Sequence, residues 1–193
     1  MGTRFRQAGV LSNAAWALSR RWQGVRLSWY LTDKEPLVFV AVIALIVAAF
    51  VLALRAAWAH RDERRDILCL ARNVYFESRG EPIAGQRAVA EVTMNRLASG
   101  RYPRTVCGVV YQKNWDPLRG RYVGAFSWTE FDTLSPPIGT QWLQAWEVAE
   151  AVYYGREPRV LDGAMFFHAV YIKPDWAKQK KPLARIGGHI FYK

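Results

Sequence analysis

The residue best suited to acid–base chemistry in this chain is a glutamate that interrupts an apolar helical stripe. Leu70 and Val74 lie on one helix face, and Glu77 follows Val74 by three residues on the same face. A carboxyl group in such a setting loses hydration, which disfavours its charged form and raises its pKa. A carboxylic acid still protonated near neutral pH can protonate a glycosidic oxygen. The alternative is a solvated glutamate at a helix end, paired with Arg72 or Arg79.

Other carboxylates compete for a role in the same chemistry. Glu130 and Asp132 follow an aromatic segment. They are candidates for the second carboxyl group that ordinary glycoside hydrolysis requires. Glu81 stands just before Pro82, where a negative charge would favour the start of a helix. Glu91 falls off the apolar stripe of its helix and is predicted to be solvated.

The remaining polar residues favour neither metal nor nucleophilic catalysis. His168 lies in the apolar segment "FFHAVY", which is more typical of a core histidine than of a catalyst. The three histidines of the chain lack the spacing of metal ligands, so no metal and no cofactor are predicted. Ser127 lacks the G-x-S-x-G sequence of a serine hydrolase.

Aromatic side chains are concentrated in an irregular stretch, residues 101–137, which is rich in Gly and Pro. Long irregular stretches inside compact domains often form binding surfaces. Aromatic faces stack on sugar rings, although some of these rings must fill the core. The aromatic residues in question are Tyr111, Trp115, Phe126 and Trp128.

The elements that would position these residues are mainly helical. A first helix is predicted to begin with Asp66 as its N-cap and to break at Gly80. In a second helix Asn95 shares the apolar face, which predicts a buried, hydrogen-bonded side chain that fixes a loop. The other predicted elements are helices over 83–97 and 140–154, a short helix or strand at 106–112, and strands at 164–169 and 189–193 that pair as a hairpin. The fold class is therefore α+β, mainly helical.

A membrane anchor precedes this domain. Residues 37–54 are eighteen apolar residues without a charge, enough to cross a hydrocarbon core of about 30 Å. We predict four segments: a basic tail over 1–35, a transmembrane helix over 36–59, a juxtamembrane linker over 60–65 and a soluble domain over 66–193. The tail is either an amphipathic helix on the inner leaflet or a flexible basic segment.

The charge of the chain bears on its partners and its orientation. The net charge of +11 is spread along the chain rather than gathered in one patch, so nucleic acid is not favoured as a partner. Arginines before the apolar segment slightly favour a cytoplasmic N-terminus. Cys69 and Cys107 would pair if the domain faces outside the cytoplasm, and would otherwise be buried thiols.

Four segments of the soluble domain resemble the SleB/CwlJ-type cell wall hydrolase family. They are "ARNVYFESRGEPIAGQRAVAEVTMNRLASGRYPRTVCGVVYQ", "FSW", "GAMFFHAVYIKPDW" and "ARIGGHIFYK", in the family's order. The resemblance covers roughly residues 66–193. It implies a lysozyme-like fold related to lytic transglycosylases and cleavage of peptidoglycan glycan strands.

The resemblance also implies roles for individual residues. The family's catalytic glutamate corresponds to Glu77, and its substrate groove to Phe126, Ser127 and Trp128, with Tyr111 and Gln112 nearby. His168 corresponds to a position that is groove-lining or structural. Cys69 and Cys107 match a cysteine pair of relatives, which implies a disulfide.

One departure from the family lies beside the groove motif. Many relatives have a glutamine before "FSW" and a cysteine on each side of the motif. This chain has Gly124, Ala125 and Thr129-Glu130 there, so it lacks a second disulfide and a polar groove contact.

The resemblance and the predicted anchor together imply a membrane-anchored peptidoglycan hydrolase. It would cut between N-acetylmuramic acid and N-acetylglucosamine as a lytic transglycosylase with one catalytic glutamate, with its domain in the periplasm or at the cell exterior. The anchor would be a single pass through the bacterial inner membrane. A hydrolytic muramidase that uses Glu130 or Asp132 is one alternative. A non-catalytic protein that binds peptidoglycan or scaffolds the envelope is another.

Overall fold

The computed structural model describes residues 34–193, and the prediction for the basic tail falls almost wholly outside them. The chain divides into two compact units, one ending at Ala56 and one spanning Ala57–Lys193. The second unit carries every residue to which chemistry was attributed above.

The first helix, α1, is much longer than the sequence predicted. It runs without a break over Glu35–Ser78, 44 residues, so Asp66 does not begin a helix. The Asp66 carboxylate instead accepts a hydrogen bond from the backbone N–H of Cys107, 3.1 Å away. Asp66 therefore binds the start of a different helix, a contact that local sequence cannot reveal.

The first part of α1 is exposed and apolar. Its most apolar 18-residue window has a mean hydropathy of 3.3 and none of that window is buried. Eighteen helical residues extend about 27 Å, close to the thickness of a bilayer core. By length and composition, this helix is able to cross a membrane.

Three further helices pack around the last turns of α1. They are α2 (Ile83–Ala98), α3 (Val106–Val110) and α4 (Gly139–Tyr153), close to the predicted bounds. One hydrophobic cluster joins all four helices through Leu70, Val74, Ala90, Val106, Val110 and Ala149. A second cluster joins the other face of α2 to the sheet described below, through Val89, Val92, Leu161 and Phe191. Helix α2 is thus packed on two sides.

The strands form two small antiparallel sheets. Strands β1 (Lys113–Asp116) and β2 (Arg121–Gly124) make a hairpin. Strands β3 (Phe166–Ala169), β4 (Pro182–Ile186) and β5 (His189–Tyr192) make a sheet in the order β3-β5-β4. The predicted pairing of the two terminal segments is confirmed as β3 with β5. Strand β4 was missed, and because it lies between β3 and β5 in sequence, the terminal pair is not a simple hairpin.

Two polar residues of α2 hold the loop that follows α4. Asn95 donates to the carbonyl of Ala164 at 3.0 Å, which confirms the prediction that it fixes a loop. The prediction of a solvated Glu91 is wrong. Its two carboxylate oxygens accept the backbone N–H groups of Val160 and Leu161, each at 2.7 Å, and the side chain is buried.

Candidate active site

Glu77 lies in the last turn of α1. The Ser78 hydroxyl donates to the carbonyl of Val74 at 2.8 Å and so closes that turn. Gly80 then takes a φ of 89°, a backbone conformation that glycine adopts without steric cost, and the chain leaves the helix. The carboxyl group is thereby fixed at the helix end without being fully exposed.

The surroundings of Glu77 favour its protonated form. Burial raises the pKa of Glu77 to about 7, although the charge of Arg96 opposes this shift. The Arg96 guanidinium is itself held by other groups. Its Nε donates to the carbonyl of Met165 at 2.8 Å, and it lies 5.0 Å from the ring centre of Phe126. Desolvation therefore outweighs a nearby cation, and Glu77 is set near neutrality, as a general acid requires.

The pKa of Glu77 predicts how the reaction rate falls at basic pH. A general acid must carry its proton, so the rate of any reaction that uses this proton should fall as pH rises through about 7. An exposed glutamate would give the same fall near pH 4.5. Initial rates measured between about pH 5 and about pH 9 would check this. A rate that stays constant across neutrality would contradict it.

An aromatic groove begins at the residue next to Glu77. The rings of Phe76 and Trp128 stack with centres 4.7 Å apart, and Tyr111 meets Trp128 edge-on at 5.6 Å. The groove has a volume of about 260 Å³. Its other lining residues include Arg72, Thr129, Phe131, Asp132, Leu134 and Pro136.

The groove tryptophan is tied to the helix that carries Glu77. Trp128 donates from Nε1 to Oδ1 of Asn73 at 2.9 Å, and Asn73 donates from Nδ2 to the Thr93 hydroxyl at 3.1 Å. Asn73 precedes Glu77 by four residues, so their Cβ atoms are about 5–6 Å apart on one helix face. The groove and the carboxyl group are therefore neighbours. Sequence reasoning missed Asn73, although a polar residue beside an apolar stripe was a usable signal.

The residues predicted to bind substrate do not all lie in this groove. Tyr111 and Trp128 line it. Gln112 is adjacent to Tyr111 but does not line the groove, and its side-chain Oε1 is buried with no hydrogen-bond partner within residues 34–193. Ser127 is exposed at the start of a 3-10 helix, Ser127–Glu130.

Phe126 and His168 are buried. Phe126 is 3% exposed and its ring supports Arg96 and packs on Phe167. The His168 ring nitrogens bind the carbonyl of Ala169 at 2.9 Å and the Tyr192 hydroxyl at 2.8 Å. Both side chains therefore make contacts within the protein that support Arg96 and the sheet, rather than contacts with the groove.

Glu130 is occupied by structural contacts. Its Oε1 accepts the backbone N–H of Gly124 at 2.7 Å and its Oε2 pairs with Arg121 at 2.6 Å. The hydrogen bond from Arg121, followed by that from Gly124, lowers the pKa of Glu130. A Cβ at position 124 would lie 2.1 Å from the Thr129 hydroxyl, so a cysteine would not fit this conformation. Hydrogen bonds thus join the two sides of the "FSW" motif.

We predict a small effect of Glu130→Gln on catalysis. An ionised carboxylate already bound to a guanidinium and an amide is a weak base, so activity should stay within about threefold of the parent. Asp132→Asn would be measured beside it, because Asp132 is an exposed carboxylate that lines the groove. Initial rates of glycan release would be compared. A loss of about 100-fold or more in either variant would identify a second catalytic carboxyl group.

Glu81 connects the turn that follows α1 to the turn between strands β4 and β5. Its Oε2 accepts the backbone N–H of Gly188 at 2.8 Å, and its Oε1 lies 3.9 Å from Nδ1 of His189. Burial lowers the pKa of His189, an effect that Glu81 opposes. Helix α2 has Pro82 at its N-cap position and no side-chain cap hydrogen bond there, so an effect of Glu81 on the start of α2 stays a prediction that concerns its charge alone.

The amino-acid sequence of the chain is similar to those of spore cortex-lytic enzymes. The chain is 30% identical over 131 residues to a spore cortex-lytic enzyme of Bacillus cereus, and 31% identical over 128 residues to that of Bacillus subtilis. These alignments cover 67% and 65% of this chain, but only 45% and 37% of the relatives. The chain therefore spans less than half the length of the curated relatives it matches.

The catalytic domain of the Bacillus cereus SleB protein has a similar fold. The two share 31% identity with a TM-score of 0.50, over 67% of this chain and 91% of that domain. A family model described as Cell Wall Hydrolase matches residues 80–192, more than half of the chain. This match begins three residues after Glu77, so the role of Glu77 depends on the geometry given above. The chain belongs to the Cell Wall Hydrolase family.

Proposed function

We propose that this protein cleaves the glycan strand of peptidoglycan between N-acetylmuramic acid and N-acetylglucosamine, with Glu77 as its acid. The observation that carries the proposal is a carboxyl group with a pKa of about 7, one helical turn from the asparagine that anchors the groove tryptophan. Membership of the Cell Wall Hydrolase family supports a glycan of the cell wall as substrate.

The mechanism that best suits the site needs one carboxyl group. Glu77 donates its proton to the glycosidic oxygen as the bond from C1 to that oxygen breaks. The resulting carboxylate then accepts the proton of the muramoyl 6-hydroxyl as that oxygen forms a bond to C1. The product carries a 1,6-anhydro end, and no water is consumed. The occupied state of Glu130 supports this mechanism over one that requires it as a base.

The groove supplies the substrate contacts. Trp128 and Tyr111 offer aromatic faces and edges to sugar rings, and the exposed Ser127 offers a polar contact. Phe126 packs against Arg96, and His168 forms hydrogen bonds within the sheet, so both residues support the site without contacting substrate. The departure at Ala125 removes one polar contact.

Mass spectrometry of fragments released from purified sacculi tests the proposal. The full-length protein in detergent and its Glu77→Gln variant would be incubated side by side. Anhydro-muramoyl ends from the parent alone are the expected result. Reducing muramoyl ends would mean hydrolysis and direct attention to Asp132. If both proteins bind sacculi saturably and release no soluble fragment, the protein is a non-catalytic peptidoglycan-binding scaffold rather than an enzyme.

We also propose that α1 anchors the protein in the inner membrane with the C-terminal unit outside the cytoplasm. The exposed apolar part of the helix and the bonded sulfurs of Cys69 and Cys107 support this. A reporter active only outside the cytoplasm, fused after Lys193, should be active. A stable but silent fusion would reverse the orientation.

A further inference from the structure

The β1–β2 hairpin carries two large aromatic rings on its surface. Trp115 and Tyr122 are cross-strand partners, and their ring centres are 5.3 Å apart. Trp115 is 57% exposed and Tyr122 is 62% exposed. Buried in a core, such rings would stabilise the fold, whereas here most of their area faces solvent. Paired exposed rings on a fixed support are a feature of binding surfaces.

The hairpin is held rigidly at its turn and at its base. At the turn, Oδ1 of Asp116 accepts the backbone N–H groups of Leu118 at 2.9 Å and Arg119 at 3.2 Å. At the base, the N–H of Ala125 donates to the carbonyl of Gln112 at 2.8 Å. The two rings therefore have a defined position relative to the residues at the base of the hairpin.

That base adjoins the aromatic groove. Glu130, which binds Gly124 and Arg121 of strand β2, ends the 3-10 helix that carries Trp128. Tyr111, next to Gln112 in the chain, lines the groove beside Trp128. Trp115 is three residues beyond Gln112, about 10 Å along an extended strand. The two rings are thus carried on a support whose base adjoins the groove.

We propose that Trp115 and Tyr122 form a second glycan-binding platform, which contacts sugars of the same strand beyond those held at Trp128. This rests on the proposed function, because it takes the occupant of the groove to be a glycan. The apolar face of a pyranose ring stacks on an indole or phenol ring. Exposed polar neighbours suit sugar hydroxyls and carboxylates, namely Lys113, Asn114, Arg119 and Arg121. The platform would make affinity depend on strand length.

The test measures binding without cleavage. Full-length protein carrying Glu77→Gln, in detergent, would be titrated with peptide-free glycan strands sorted by length. Trp115→Ala should weaken the binding of long strands by about tenfold, and Tyr122→Ala should also weaken it. Neither should alter the binding of the shortest strand that fills the groove. Trp115→Phe keeps a ring and should stay within about threefold of the parent.

The matched control is Leu118→Ala in the same hairpin. Leu118 is 98% exposed at the turn, so its loss removes apolar surface without removing a ring. It should leave affinity unchanged for every strand length. Thermal unfolding of each variant would show that truncating an exposed ring has left the fold intact.

Three results would overturn the platform. Equal affinity of parent and Trp115→Ala for long strands is the first. An equal loss for short and long strands is the second, because it would mean that the hairpin only shapes the groove. The third is a loss of binding to anionic lipid vesicles with glycan binding unchanged, which would assign the rings to a bilayer.

Failure of the platform and failure of the proposed function are distinguishable. Glycan release is measured with Glu77 intact, and binding is measured with Glu77 replaced. If the protein binds long strands through Trp115 but releases no fragments, the platform is supported and the proposed enzymatic function is wrong. A protein that releases fragments but binds all lengths equally keeps the enzyme and loses the platform.

Discussion

Replacing Glu77 by glutamine is expected to reduce the initial rate of fragment release from sacculi by about 10³-fold. Glutamine has nearly the same shape as a protonated glutamate but has no proton to transfer. General acid–base catalysis contributes about 10²–10⁴-fold to a rate, and here one group would perform both proton transfers. The loss should therefore lie in the rate of cleavage, while binding of intact strands remains.

The matched control is Glu147→Gln. Glu147 is exposed on α4, and its replacement makes the same chemical change without touching the groove. Its rate should stay within about twofold of the parent, since surface substitutions away from such features have small effects. Cleavage by Glu77→Gln at a rate close to that of the parent would contradict the assignment of Glu77.

The pH dependence of protein stability gives a second, independent test of Glu77. The folded-state pKa of Glu77 lies above its unfolded value, so the folded chain binds this proton more tightly than the unfolded chain does. The free energy of unfolding of the parent should fall as pH rises from about 4.5 to about 7 and then level off. The total loss is about 3 kcal/mol as an upper estimate.

The Glu77→Gln variant lacks this titration. It should match the parent in acid and exceed it in stability above neutrality, when both are unfolded with denaturant as full-length proteins. An inactive variant that is also more stable at pH 8 cannot owe its inactivity to unfolding. Identical pH dependence in the two proteins would mean that Glu77 is not desolvated.

The local features of the helices could be predicted from the sequence. The apolar stripe of Leu70 and Val74 gave the helix face, and the interruption of that stripe gave Glu77. The bounds of α2 and α4 followed from Gly and Pro breaks in the same way. Each of these features depends on residues within a few positions of one another, where helical periodicity is informative.

The partners of polar residues could not be predicted, because they come from distant parts of the chain. Glu91 binds N–H groups 69 and 70 residues away, and Asp66 binds one 41 residues away. In the sequence, each looks like an ordinary surface or capping residue. Strand β4 was missed for a related reason, since its burial pattern is mostly exposed and its pairing with β5 is interrupted by a register shift.

Removing the Cys69–Cys107 disulfide is expected to produce the largest loss of stability. The bond joins α1 to α3 across 38 residues, a segment that contains Glu77 and the whole of α2. Constraining a loop of this size in the unfolded chain stabilises the folded state by about 4 kcal/mol. The double variant Cys69→Ala/Cys107→Ala should therefore unfold at a temperature lower by roughly 10–15 °C.

The reductant separates the covalent bond from the packing of the two side chains. Thermal unfolding would be followed in full-length parent and double variant, each with and without dithiothreitol. Reductant should lower the unfolding temperature of the parent to near that of the variant and leave the variant unchanged. If the parent gives the same temperature in both conditions, the two cysteines are not bonded. Well below its unfolding temperature the variant should still release glycan, because the bond holds α1 and α3 together and the proton comes from Glu77.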